Sequence, residues 1–115
     1  TTIVQNHIYN GRIEGIFSLD CGKAQISRNK IYNNNHGIVL VTSCPFIMRN
    51  QINKNKFYGI IMIKDSRPFI QNNLFKKNGQ IGLYIKDKSS GLIEMNRVSC
   101  SFKICLIVFS LRIMA

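Results

Sequence analysis

The stretch Ile47-Met48-Arg49-Asn50-Gln51-Ile52 decides the fold, because the chain returns to the same pattern about every 23 residues. In each copy an Ile is followed three positions later by an Asn. Both columns advance in steps of 23, 21, 23 and 23 residues. The other copies are Ile3–Ile8, Ile26–Ile31, Ile70–Phe75 and Ile93–Val98. A fixed period of this length indicates stacked repeats, each of which buries its apolar face only against its neighbours.

A second landmark is a glycine that opens an apolar run eight or nine residues after each of the first four asparagines. The glycines are Gly15, Gly37, Gly59 and Gly82. Each unit therefore predicts a short strand, an Asn turn, a second short strand, a Gly turn, a longer strand and a polar corner. Alternation along the longer strand turns Tyr84 and Lys86 outward and six apolar side chains inward: Ile38, Leu40, Ile60, Met62, Leu83 and Ile85.

These units, written I-x-x-N-x-I … N … G-I-x-L and clearest in Ile26–Leu40, Ile47–Met62 and Ile70–Ile85, resemble the right-handed parallel β-helix repeat family. The resemblance implies an all-β solenoid of about five rungs of 21–23 residues. The family includes pectin-type lyases and hydrolases, periplasmic copper-loading proteins and eukaryotic adaptor domains. The Asn-Asn-x-Gly-Ile pattern with Pro corners is most similar to the non-catalytic repeats of F-box and Shc-binding adaptor proteins.

Two segments follow from the pattern, repeats over 1–98 and a degenerate final rung or altered C-terminal segment over 99–115. Lys103 interrupts the second segment, which is shorter than the roughly 20 apolar residues of a membrane span, so no membrane partner is expected. The first rung has no polar cap of the kind that solenoids need, and we expect the chain to be a piece of a longer solenoid.

The cysteines show neither a CxxC pair nor zinc spacing, and no metal or other cofactor is predicted. Cys21 and Cys44 lie in turns of neighbouring rungs, which leaves a disulfide open. The expectation is four reduced thiols in an intracellular protein, cytoplasmic or nuclear, with secretion as the alternative.

The chain is strongly basic, with 16 Lys and Arg against 5 Asp and Glu. The cations recur by rung, so stacking would align them in stripes. The predicted binding surface is the outward face of the stacked strands, and it comprises Arg28, Arg49, Lys64, Tyr84 and Lys86. A stripe of cations suits a protein partner or an acidic polysaccharide, whereas no nucleic-acid-binding motif accompanies the charge. A merely solvated face is the other open interpretation.

The asparagine column resembles a binding site, but a structural ladder is the favoured interpretation. Stacked Asn side chains at a bend can hydrogen-bond amide to amide along a solenoid. The predicted ladder comprises Asn6, Asn29, Asn50, Asn73 and Asn96, and a second partial column, Asn34, Asn55 and Asn78, is expected to serve the next turn.

The chain has only five Asp and Glu residues, and general acid–base catalysis would need a pair of them. Asp65 and Asp87 fall in equivalent corners of adjacent rungs and are the candidate general acid and base, although ordinary turn residues explain them as well. The predicted function is a non-catalytic module for protein recognition within a larger protein. The alternatives are a β-helix that binds or cleaves an acidic polysaccharide, and a structural spacer.

Overall fold

The strands follow the sequence repeat, three to each turn of the chain. The computed structural model describes residues 1–20 and 23–99 and, beyond them, the backbone of two strands. In chain order the strands are β1 (Thr2–Val4), β2 (His7–Tyr9), β3 (Glu14–Leu19), β4 (Gln25–Ser27), β5 (Lys30–Tyr32), β6 (His36–Val41), β7 (Phe46–Met48), β8 (Gln51–Asn53), β9 (Tyr58–Ile63), β10 (Phe69–Gln71), β11 (Leu74–Lys76), β12 (Ile81–Ile85), β13 (Ser90–Glu94), β14 (Arg97–Ser99), β15 (Leu106–Val108) and β16 (Arg112–Met114).

Strands at the same place in successive turns pair in parallel and form three sheets. Sheet A has the order β1-β4-β7-β10-β13-β16, sheet B the order β2-β5-β8-β11-β14, and sheet C the order β3-β6-β9-β12-β15. In sheet A the register pairs Ile26 with Ile47, and Ile47 with Ile70, so the column of the sequence is a column in space. The predicted all-β parallel β-helix is confirmed, with about four turns.

The interior is filled by one column of apolar side chains from each short strand and by two columns from sheet C. Ile26, Ile47 and Ile70 of sheet A are fully buried, as are Ile31, Ile52 and Phe75 of sheet B. The six sheet C residues predicted to point inward are all buried as well. Because strand side chains alternate between faces, the same strands leave every second residue outside. Each fully buried Ile contributes roughly 1.5–3 kcal/mol, so the stack is held mainly by these columns.

The chain turns between sheets through residues in the left-handed conformation. At the bend from sheet A to sheet B this residue immediately precedes the ladder Asn in every turn, with φ between 55° and 58°: Gln5, Arg28, Arg49, Asn72 and Met95. At the bend from sheet B to sheet C the equivalents are Asn10, Asn33, Lys54 and Lys77. The corner from sheet C to sheet A uses Asp20, Thr42, Lys64, Asp65, Asp87 and Lys88.

The glycine column exists for close packing. A Cβ on Gly37 would collide with the carbonyl oxygen of Gly59 and lie 2.9 Å from Ile52 Cγ2. Gly59 meets Gly82 and Phe75 in the same way one turn later. Among the described glycines the positive φ belongs instead to Gly91, at 139°. The glycines therefore allow each strand of sheet C to begin in close contact with the next turn and with the interior side chains.

The segment predicted as a degenerate final rung lies mostly outside the described residues. Its two described strands continue the stack, since β15 pairs with β12 and β16 pairs with β13. Within the described part of the chain there is no helix of the length and hydropathy that crossing a membrane requires.

Candidate functional site

The asparagine ladder at the bend between sheets A and B is built into the interior. The backbone N–H and the Nδ2 of Asn29 both donate to Oδ1 of Asn50, each at 3.0 Å. Asn50 repeats the arrangement with Asn73 at 2.9 and 3.0 Å, and its Nδ2 also donates to the carbonyl of Ile26 at 2.9 Å. Asn50 is 1% exposed. Its hydrogen-bonding groups are thus used between turns and are not presented to a ligand.

Two further ladders support the other bends. Asn34, Asn55 and Asn78 repeat the arrangement between sheets B and C, and the N–H of Gly11 closes that ladder on Asn34 Oδ1 at 2.8 Å. At the remaining corner the ladder is made of serine: the N–H of Ser43 donates to Ser66 Oγ, and that of Ser66 to Ser89 Oγ. The serine ladder was not predicted, although the 23-residue steps between its members are visible in the sequence.

The five residues of the predicted binding surface lie in two separate places. Arg28 and Arg49 occupy the left-handed position at the bend between sheets A and B. Lys64 lies just after β9, and Tyr84 and Lys86 lie at the same end of sheet C, with Lys86 Nζ 5.8 Å from the Tyr84 ring centroid. A single surface comprising all five is therefore not formed.

The two candidate catalytic carboxylates share the corner between sheets C and A, but not the same position in it. The Ser66–Ser89 contact joins residues 23 apart, and this step carries Lys64 to Asp87 and Asp65 to Lys88. The N–H of Asp65 accordingly donates to the carbonyl of Asp87 at 3.0 Å. Each exposed Asp has a lysine, not the other Asp, as its register neighbour. The two residues therefore lie in the same corner of adjacent turns, one register position apart, and their role as a catalytic pair stays a prediction.

Sheet B and the two bends that flank it carry cations and no acid. In the segments 5–13, 28–35, 49–57, 72–80 and 95–99 every Lys and Arg is exposed. We call these nine residues the cationic face: Arg12, Arg28, Lys30, Arg49, Lys54, Lys56, Lys76, Lys77 and Arg97. All five acids of the chain lie on sheets A and C and the corner between them, interspersed with Lys23, Lys64, Arg67, Lys86, Lys88 and Arg112.

Aromatic rings lie beside the cationic face. Tyr9 and Tyr32 are register partners on the outside of sheet B, with parallel rings 5.1 Å apart. Lys56 lies 5.3 Å from the centroid of the Phe57 ring, at the start of sheet C. Aromatic rings and exposed cations are thus neighbours on this side of the coil.

His36 is the first residue of β6, at the end of the strand nearest the cationic face, and its side chain is half-buried. Its ring stacks on Tyr58 at 5.0 Å, and its Nδ1 is buried without a hydrogen-bond partner. Burial lowers the pKa of His36, while the charge of Glu14 acts in the opposite direction. The buried, unpartnered nitrogen makes His36 a packing residue with a preference for the neutral ring.

The described residues contain no group of three or more His, Cys, Asp or Glu that could hold a metal ion. Cys44 is half-buried. Cys21, with which a disulfide was left open, lies outside the described residues, so the reduced thiols stay a prediction.

Comparison with known proteins identifies the fold family. The family described as "right handed beta helix region" matches residues 1–110. A solved structure titled as a double mutant of the periplasmic alginate epimerase AlgG superposes with a TM-score of 0.57 at 18% identity, covering 98% of this chain and 39% of that one. The chain thus spans well under half the length of that protein. A search of curated protein sequences finds no match. With a family match over nearly its whole length, the chain belongs to the right-handed β-helix family.

Proposed function

We propose that the chain is a non-catalytic module that binds an acidic polysaccharide along the cationic face. The observation that carries the proposal is the segregation of charge, with nine exposed cations and no acid on the described part of sheet B and its bends. The fold of a protein named as an alginate epimerase supports a polysaccharide as the ligand class. Our alternative prediction from the sequence was a β-helix that binds or cleaves an acidic polysaccharide, and we prefer its binding form to an adaptor.

The stacking of turns gives the recognition its mechanism. Lys54 and Lys77 occupy the same left-handed position in adjacent turns, and the N–H of Lys54 donates to the carbonyl of Lys76 at 3.0 Å. Neighbouring turns of a parallel sheet lie about 4.8 Å apart, so Lys54 and Lys77 form a pair with that spacing, as Arg28 and Arg49 do at the other bend of sheet B. A polymer with an anion on each sugar unit can contact such pairs together. Binding of this kind is additive, shallow and sensitive to salt.

The proposed function does not use the two Asp residues of the remaining corner. Asp65 and Asp87 lie at the junction of sheets C and A, the one corner of the coil that sheet B does not touch. A ligand that follows sheet B is therefore held away from both carboxylates. We expect the chain alone to bind a polyuronate without cleaving it.

The test uses two pairs of lysines that share backbone conformation and exposure. Lys54→Gln with Lys77→Gln removes two charges from the cationic face, and Lys64→Gln with Lys88→Gln removes two from the mixed corner; all four residues are exposed with φ between 51° and 59°. We expect calorimetric affinity for a polyuronate oligosaccharide to fall about tenfold in the first pair, or about 1.4 kcal/mol, and to change little in the second. Equal losses in both pairs would show that net charge, rather than this face, governs binding.

A second candidate is recognition of an acidic protein surface, the role we predicted first from the sequence. The observation in its favour is that the cations lie on successive strands of one sheet. An extended surface of this kind can bind the surface of another protein as well as a polymer. Poly-glutamate is the discriminating probe in the same experiment. Binding of poly-glutamate with loss in the Lys54/Lys77 variant, and no binding of the polyuronate, would favour the protein partner.

A further inference from the structure

The cations at the two bends of sheet B are offset from each other by one turn. At the bend between sheets A and B, the left-handed position is cationic in the second and third turns, where it holds Arg28 and Arg49. At the bend between sheets B and C it is cationic in the third and fourth turns, where it holds Lys54 and Lys77. Among the four turns whose two bends are both described, only the third, which contains β8, therefore has a cation at each end of its sheet B strand.

Outward side chains of the neighbouring strands extend both ends of this arrangement. Lys30, the first residue of β5, is the register partner of Gln51. Lys76, the last residue of β11, is the register partner of Asn53. Both lysines are exposed, and they lie at opposite ends of β8. We call the resulting group the diagonal band: Arg28, Lys30, Arg49, Lys54, Lys76 and Lys77.

The centre of the diagonal band is uncharged and consists of two outward amides on β8. Gln51 is exposed, whereas Asn53 is half-buried and its Oδ1 is buried without a hydrogen-bond partner. Such an atom costs about 1–3 kcal/mol and calls for an explanation. A half turn of the side-chain amide exchanges Oδ1 with Nδ2, so Asn53 can offer an acceptor or a donor to a hydroxyl group above it.

We infer, resting on the proposed function, that the acidic polysaccharide crosses sheet B along β8 and does not follow the axis of the coil. Its anions pair with cations at both ends of the diagonal band, and Asn53 binds sugar hydroxyls between them. The inference adds to the proposed function the direction of the ligand, a minimum ligand length and a residue that recognises the uncharged part of the sugar.

The direction follows from where the cations stop. A polymer along the coil axis would leave its ionic partners after two turns, because the next left-handed residue is Asn72 at one bend and, in the opposite direction, Asn33 at the other. Across β8 the same polymer meets Arg49 and Lys54, which are five residues and at most about 18 Å apart. A ligand long enough to reach both ends makes its second contact intramolecularly, so it binds more tightly than one confined to either end.

The test compares the affinities of a uronate disaccharide, which reaches one end only, and an octasaccharide, which reaches both. We expect the unchanged protein to prefer the octasaccharide roughly a hundredfold. Arg28→Gln with Arg49→Gln should reduce this preference at least about tenfold. Glutamine is accommodated there, since Gln5 holds the same left-handed position. The matched control, Arg12→Gln with Arg97→Gln, removes two exposed cations of the cationic face outside the diagonal band and should keep the preference.

Asn53→Leu tests the contact with the hydroxyls. We expect its affinity for the octasaccharide to fall about tenfold with an unchanged dependence on salt, because the lost contact is uncharged. Its urea midpoint should stay close to that of the unchanged protein, which separates lost binding from lost stability. Gln25→Leu is the control, since it removes an exposed outward amide from sheet A, and it should bind normally.

Three results would overturn the inference. An Arg28/Arg49 variant that keeps the full length preference would show that the ligand uses one bend alone. Loss of the preference in the Arg12/Arg97 variant would show that total charge sets it. Normal binding by Asn53→Leu would exclude Asn53 from the contact. Failure of the unchanged protein to bind either uronate would instead contradict the proposed function itself, so the two failures are distinguishable.

Discussion

At the residue scale, two adjacent positions divide the work of each bend. In Arg49-Asn50 the first residue adopts the left-handed conformation and the second ties one turn to the next. The left-handed conformation costs a non-glycine residue roughly 1–2 kcal/mol, which the buried ladder contacts offset. The left-handed position tolerates several side chains, since Gln5, Asn72 and Met95 share the column with two arginines. The fold therefore does not determine the side chain at the left-handed position, and this side chain can serve in binding.

The ladder makes each buried asparagine indispensable to two neighbours. Asn50→Leu removes the acceptor of both Asn29 donors and the donor that satisfies the Ile26 carbonyl. Each buried group left without a partner costs about 1–3 kcal/mol, so we expect a loss of about 3–5 kcal/mol in the free energy of unfolding, measured by urea titration. Asn53→Leu is the control, because the Oδ1 of Asn53 is buried without a partner, and it should cost little. A stable Asn50 variant would contradict a structural role for the ladder.

At the scale of the element, each long strand of sheet C begins with a glycine in close contact with the next turn. Gly59→Ala would drive a methyl group into the carbonyl of Gly82 and to 2.9 Å from Phe75 Cδ2, with turns stacked on both sides. Gly15 lies in the first described turn, and a Cβ there would come to 2.8 Å from the Gly37 carbonyl. We expect Gly59→Ala to destabilise the protein by about 1–3 kcal/mol or more, and Gly15→Ala by less, in thermal unfolding. Equal effects would contradict the packing argument.

The strands and their register could be predicted from the sequence, whereas positions inside the corners could not. The Ile and Asn columns repeat because strands must stack in register to bury one face, so the period reveals them directly. Corners vary in length: four residues, 42–45, separate β6 from β7, and five, 64–68, separate β9 from β10. The serine ladder keeps a constant 23-residue step in spite of this variation, so the sequence does contain a signal for it. For Asp65 and Asp87 the sequence shows only that they share a corner, and the register sets them one position apart. The left-handed backbone conformation of the Arg and Lys residues could not be predicted either, because neither residue type favours that conformation.

At the scale of the whole molecule, three sheets give the coil three different sides. Sheet B is cationic, the outer surface of sheet C is apolar across its first three strands from Phe17 to Ile63, and the acids lie on sheets A and C and the corner between them. From the sequence we expected a protein partner, with an acidic polysaccharide as the alternative. The net charge does not indicate which side of the coil would bind either, because grouping the cations requires knowing where the chain bends. A grouping of the cations by rung places Arg28 and Arg49, at the bend between sheets A and B, together with Lys64 and Lys86, at the end of sheet C. The segregation emerges only when residues are sorted by sheet.

Concentrating nine cations on one side of a small coil should also lower its stability. Equivalent lysines such as Lys54 and Lys77 lie one turn apart, and no acid on sheet B or its bends relieves their repulsion. Raising the ionic strength from about 0.01 M to about 0.1 M shortens the Debye length from about 30 Å to about 10 Å, so we expect Tm to rise by several degrees. Lys54→Gln with Lys77→Gln should raise Tm at low salt and reduce its response to salt, while Lys64→Gln with Lys88→Gln, beside Asp65 and Asp87, should not. If the first pair lowered Tm instead, the cations would be stabilising the coil, and selection for a ligand would no longer be needed to explain them.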